Sequence, residues 1–280
     1  SADHAALKYL EATKQSAIGM RDFLILMQGQ ERYHNFQQDP YLLTHPLSSK
    51  RIKSIEQHIK NSKYSNTPYP PNWQRSYLRI QAKIFAYSNP LPVVLQRYPE
   101  TDRRVHAQYA RAFAYYLEPN LSKALRIIDE LIEGSPQDPY FHELRGQMLF
   151  EHGRVNEAII SYELAVKYAS PSGILFFELG KALIASNDDE LLKKAETMLK
   201  KSLVHERNVP ATWRQLAVTF GRQGKMGLTW LCLAEEAVLI GRLEDATHNA
   251  KKAIKILPPG SREWLQAQDL IKASSLKTHQ

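Results

Sequence analysis

Sulfur chemistry is nearly absent from this sequence. Cys232 is the single cysteine among 280 residues, which excludes an internal disulfide and a cysteine-built zinc site. Set in WLCLAEEAVL among apolar neighbours, it is expected to be a small core residue. Long apolar runs are missing too, since none approaches the roughly 18 residues that cross a bilayer as a helix. The opening SADHAALKYLEATKQ has neither a basic n-region nor an apolar h-region, so no export signal is visible in it. The expectation is a cytosolic chain, or one whose leader has been removed. HExxH, GxxxxGK[ST], GxGxxG and GxSxG are all absent, and with them the common zinc-peptidase, nucleotide and serine-hydrolase signatures. His142-Glu143 begins like a zinc motif, but Gly146 stands where the second histidine belongs, which leaves a polar helix face as the expected role. His4, His34 and His45 share the front segment, where three imidazoles together could hold zinc, while each alone reads as a surface histidine.

Acidic residues are scarce at the front. Residues 1–100 carry 13 Lys+Arg against 7 Asp+Glu, whereas residues 101–280 carry 24 against 22, so most of the +8 formal charge lies ahead of a nearly neutral remainder. A basic segment suits nucleic acid or another anionic surface. No Lys/Arg run interleaved with aromatics accompanies it, and the expected partner is not nucleic acid.

What the chain does contain is a repeat. Asp138 to Pro171, DPYFHELRGQMLFEHGRVNEAIISYELAVKYASP, reads as two amphipathic helices folded back on each other. Counted from Pro139, Gly146 is position 8, Gly153 position 15, Ala158 position 20, Tyr162 position 24 and Ala165 position 27. Gly146 and Ala158 lack bulk where the helices cross, Gly153 suits a left-handed turn, and Tyr162 and Ala165 fill the seam to the next hairpin. The spacing is that of a tetratricopeptide repeat. Val105 opens a copy 34 residues earlier and Gly173 another 34 later. SNDDELLKKA then inserts residues at a hairpin tip, which a solenoid tolerates. Trp213 to Gly224 resume the first-helix pattern, and GLTWLCLAEEAVLIG fits it again, so three helices are expected to share two hairpins' worth of seam. Ser261 caps a last helix with a polar outer face.

The expected fold is therefore all-α, a tetratricopeptide-like α-solenoid of helical hairpins preceded by a short helical segment. Its divisions read as a helical lead over 1–62 with a mobile loop at 29–47, a linker at 63–71, an irregular leading hairpin at 72–104, repeats at 105–260 and a capping helix at 261–275. Stacked hairpins expose first-helix positions 2, 5, 9 and 12 on a concave surface suited to peptides. Those offsets name Tyr109, Phe113 and Tyr116, then Tyr140, Glu143 and Gln147, then Phe177 and Lys181, then Arg214 and Arg222 as partner-binding candidates. Ile174 and Val218 fall on the same positions.

Ala2-Asp3 before a helix, Thr44-His45-Pro46-Leu47 with Arg51-Ile52 after a loop, then PYFHELRGQ and WRQLA, together resemble the periplasmic zinc metalloproteases with a tetratricopeptide tail, the BepA type. The likeness extends over essentially the whole chain. In that family, two histidines of HExxH and the glutamate of ExxAD hold zinc, and a histidine of a following HP loop can cap the metal as a regulatory ligand. The resemblance matches Asp3 to the aspartate of ExxAD and His45 to the capping histidine, and it puts the glutamate two residues ahead of Ser1. It implies no cofactor in this chain and zinc in the full-length protein. The chain alone is then expected to be inactive, lying downstream of a catalytic motif. It also implies a periplasmic setting with protein clients, and outer-membrane assembly components among the partners. The alternative is a free-standing adaptor in the cytoplasm.

Overall fold

The computed structural model describes residues 2–33 and 49–277, and every regular element among them is a helix. The chain divides into two compact units, Ser1–Leu78 and Arg79–Gln280.

In the first unit, α1 (Ala2–Ala12), α2 (Ile18–Tyr33) and α3 (Ser49–Asn61) bring Leu7, Ala17, Leu24 and Ile55 into one small core, with Leu10, Met20, Ile52 and Ile59 against it. A core of this size needs polar ties at its rim. Ser62 donates to Glu11 at 2.6 Å, Ser16 to the carbonyl of Ser65 at 2.6 Å, and Arg51 grips both oxygens of Asp3. Residues 29–33 of the loop expected over 29–47 are helical, and 34–47 lie outside the described residues. Gln, Glu and Arg are good helix formers and one glycine does not break them, so α2 continues through GQERY to Tyr33. His34 and His45 lie outside the described residues.

The second unit takes in the latter half of α4 (Pro71–Ser88). It continues through α5 (Leu91–Arg97), α6 (Val105–Leu117), α7 (Leu121–Gly134), α8 (Pro139–Glu151), α9 (Val155–Tyr168), α10 (Gly173–Ala185) and α11 (Leu192–His205). It ends with α12 (Pro210–Arg222), α13 (Met226–Leu239), α14 (Leu243–Ile256) and α15 (Arg262–Lys277). Antiparallel pairs α6/α7, α8/α9, α10/α11 and α12/α13 pack in sequence, as a tetratricopeptide stack requires. Small residues make the crossings close: Ala112, Ala124, Ala158, Ala217, Ala234 and Ala246 are buried, and a Cβ on Gly180 would stand 2.8 Å from Leu199.

The turns repeat one device. Gly153, Gly224 and Gly241 have φ of 76°, 73° and 79°. After each, the next amide reaches back five residues, as from Arg154 to the Leu149 carbonyl at 2.9 Å and from Lys225 to that of Phe220 at 2.9 Å. This arrangement satisfies carbonyls that a helix end leaves open. Asn187 takes the same position of the α10 hairpin with φ 60°, a conformation asparagine tolerates better than other side chains. The inserted residues form a 3₁₀ turn at Asp189–Leu191. α13 packs along both α12 and α14, so it closes one hairpin and opens the next, as its sequence implies. Ser261 caps α15 through the amide of Trp264 at 3.2 Å, and Ala267 is buried against the α13–α14 seam. Cys232 is buried, and burial pushes its thiol up to about 12, which makes it unreactive.

Candidate interaction face

The first-helix positions fall into three groups. Tyr109, Phe113 and Tyr116 are not open anchors, because the chain itself covers them: Tyr109 is 1% exposed and the other two are buried. Over Phe113 the cover is the latter half of α4. Lys83 lies over the Phe113 ring at 5.6 Å, Tyr87 tilts against it at 6.3 Å, and Tyr109 packs on Phe141 at 5.8 Å. Tyr116 is further anchored by donating its hydroxyl to Glu151, and burial pushes its phenol up.

α4 has three cations, Arg75, Arg79 and Lys83, and no acid, and two of them find acids at the start of α8. Arg79 meets Asp138 at 2.6 Å and lies over the Tyr140 ring at 4.2 Å. Lys83 approaches Glu143 at 3.6 Å. Burial raises the Glu143 carboxyl above its ordinary value, and Lys83 opposes that shift. Periodicity assigned α4 its helix without revealing this covering role. The signal that points to it is a run of cations without acids ahead of the Asp138/Glu143 pair.

The second group stays accessible and continuous. Tyr140 is 53% exposed, Ile174 58% and Val218 41%. These three sit at positions 2, 2 and 9 of α8, α10 and α12, and Gln147 and Phe177 are partly buried beside them. Lys181 joins α8 to α10, with its ammonium 4.8 Å from the Phe150 ring and 5.7 Å from Phe177. Glu178 holds it at 2.5 Å. Gln147 donates to Glu151 at 3.1 Å. Arg214 extends the face with its head exposed, while Glu236, the acid that holds it at 2.8 Å, is withdrawn.

The third group is structural. Arg222 donates to the Ile184 carbonyl and to Asp189, each at 2.8 Å, so it pins the 3₁₀ insertion. His142 is buried instead of lining a polar helix face. Its Nε2 donates to the Pro136 carbonyl at 2.8 Å and its ring packs on Tyr168.

In the first unit Asp3 and Arg51 form a two-pronged ion pair at 2.7 and 2.9 Å. The guanidinium holds the Asp3 carboxyl below its ordinary value. Both Asp3 oxygens are thus committed. Among the described residues no group of three His, Cys, Asp or Glu side chains is placed to hold a metal ion, so these residues do not by themselves fit a zinc site.

No protein-family profile matches the sequence. A curated relative, DnaJ homolog subfamily C member 3 of Gallus gallus, is 23% identical over 199 residues; these are 66% of this chain and 38% of that protein, so the chain spans under two-fifths of the relative's length. Among solved structures, MamA is similar at 12% identity with a TM-score of 0.47, over 61% of this chain and 94% of that one. YrrB, described as a TPR protein with an unusual peptide-binding site, is similar at 17% identity with a TM-score of 0.41, over 64% of this chain and 97% of that one.

Proposed function

We propose that the chain is a protein-interaction scaffold that takes a peptide segment of a client protein along the first-helix face of α8, α10 and α12. The observation that carries this reading is the placement of Tyr140, Ile174 and Val218, large and exposed at positions 2, 2 and 9 of the first helices of successive hairpins. On α6 the counterpart of Val218, Phe113, is covered by α4. Phe177, Lys181, Gln147 and Arg214 supply the adjoining aromatic and polar contacts. Exposed apolar anchors beside adaptable polar groups are what a peptide groove requires.

Panning a random peptide library on the full chain tests the reading. Ile174→Glu combined with Val218→Glu is expected to weaken the selected peptides by about tenfold or more, since each anchor of this kind contributes on the order of 1–2 kcal/mol. The melting curve should stay put, because both side chains already face water. Peptides that bind the double variant unchanged rule out this face.

A finer reading places the chain as the client-recruiting arm of a zinc metalloendopeptidase of the cell envelope, with zinc and HExxH supplied by an upstream segment and outer-membrane assembly components among its partners. The Asp3–Arg51 pair supports it, because it joins two of the residues on which the resemblance rests. Casein cleavage that a chelator abolishes, measured on the chain joined to its upstream coding sequence, is the expected outcome. His45→Ala in that protein should raise basal cleavage at unchanged melting temperature. An upstream sequence without HExxH leaves the free-standing adaptor.

A further inference from the structure

Helices α6 and α7 and the segment leading into α6 border a half-open pocket of about 300 Å³ on which neither reading of function draws. Its charges do not balance. Arg103, Arg111, Lys123 and Arg126 face only Glu100 and Glu130, a surplus of two positive charges. Lys123 and Glu100 satisfy each other at 2.7 Å. Asp102, the nearest other acid, is held through both oxygens by Arg104, which keeps its carboxyl at about 2. It hydrogen-bonds Arg111 only through its backbone carbonyl, while its carboxylate and that of Glu100 act on the guanidinium at longer range.

Arg111 is the unusual member. It is 4% exposed and donates to the carbonyls of Tyr98 at 3.3 Å, Pro99 at 2.7 Å and Asp102 at 2.9 Å. A buried guanidinium is thus held in place by dipoles, with no carboxylate at hydrogen-bonding distance. Buried charges are ordinarily paired. Arg103 and Arg126 are exposed, and neither has a carboxylate at ion-pair distance among the described residues. Three guanidinium groups, one of them fixed, therefore border a cavity large enough for a small ligand.

We propose that this pocket binds a doubly charged phosphate group, either as the free ion or as a monoester. The surplus of two positive charges matches a dianion. Planar guanidinium forks fit the oxygens of a phosphate. Arg111 has given both Nη1 hydrogens and one Nη2 hydrogen to carbonyls, so it offers Nε–H and the remaining Nη2–H from a position that loses little freedom on binding. Lys123 remains the partner of Glu100 and sets one wall. Glu130 is the acid that limits affinity.

Calorimetry on the full chain with inorganic phosphate and with O-phosphoserine tests this, with acetate at matched ionic strength as the control. Saturable binding of phosphate but not of acetate is expected. Arg103→Gln combined with Arg126→Gln should weaken it about tenfold or more, whereas Glu130→Gln should tighten it. All three side chains are exposed, so melting curves without ligand will show whether the variants stay folded. Tighter binding of phosphoserine than of phosphate assigns the site to esters, and equal binding assigns it to the free ion. A phosphate response equal to that of acetate, or one unchanged in the double variant, or one weakened by Glu130→Gln, overturns the proposal.

Discussion

Gly146→Leu is expected to destabilise the repeat stack by about 1–3 kcal/mol, the range for overpacking a close crossing. A Cβ at this position would stand 2.9 Å from both Cδ1 and Cε1 of Tyr162, and a leucine adds three more carbons along that line. The ring has nowhere to withdraw. It is fully buried in the cluster that includes Leu149, Ala158 and Leu179, and its hydroxyl abuts Glu178 at 3.5 Å. For a unit of this size the melting temperature should fall by roughly 2–4 °C per kcal/mol. Because a stack is stabilised through neighbouring interfaces, amides of α8 and α9 should exchange with solvent first. Gly134→Ala is the control: nothing lies within 4 Å of a Cβ there, so its curve should match the parent or move slightly upward. A melting curve unmoved by Gly146→Leu would discard the repeat register built on this crossing.

That register was legible because glycine and alanine at fixed spacing leave few alternatives. Gly146, Gly153 and Ala158 each have a steric function, and the same functions recur at Gly180, Gly224 and Ala246. Asn187 was harder to read, since it sits in SNDD, where an insertion accounts for the polar residues equally well. Only its φ shows that it is the turn residue of its hairpin.

The covering face of α4 was not legible in the sequence, for a more general reason. Its large apolar residues, Trp73, Tyr77, Ile80, Ile84 and Tyr87, form a stripe of helical period that the structure leaves exposed, while Ala82 and Ala86 are buried. Period alone gives the helix but favours the bulky side as the core. Closeness of approach selects the small side instead, and that choice lets α4 cover Phe113. Of the partner-binding candidates on α8, Tyr140 and Glu143 take cations from α4, yet Tyr140 stays 53% exposed, and Phe177 and Lys181 on α10 are partly exposed. Arg222 illustrates the reverse case, in which an exposed position is recruited to hold an insertion with no counterpart in the other hairpins.

Arg111 gave no sequence signal of its own beyond being a cation inside RAFAYYL, and the second large effect is expected there. Arg111→Met keeps a long unbranched side chain of similar reach but removes the hydrogen bonds to Tyr98, Pro99 and Asp102. Those carbonyls carry the chain from the end of α5 into α6, and α6 contributes more buried residues than α5 does. A buried acceptor left without its donor costs about 1–3 kcal/mol. Of the three residues only Tyr98 is buried, Pro99 being exposed and Asp102 half-buried, and the Pro99 carbonyl keeps the Asp102 amide at 2.9 Å, so about 1–3 kcal/mol is expected in all. Against this, removing an unpaired buried charge is itself favourable. The two effects are separable. Arg111→Lys retains the charge but its single ammonium cannot reach all three carbonyls, so it should be destabilised nearly as much if the hydrogen bonds dominate, and little if the buried charge does. The measurement is the urea midpoint of each variant beside that of Arg126→Met, which should stay within about 0.5 kcal/mol of the parent because Arg126 is exposed and unpaired. If Arg111→Met unfolds at the same urea concentration as the parent, the guanidinium does not hold the α5–α6 connection, and the fixed fork of the phosphate pocket is lost with it.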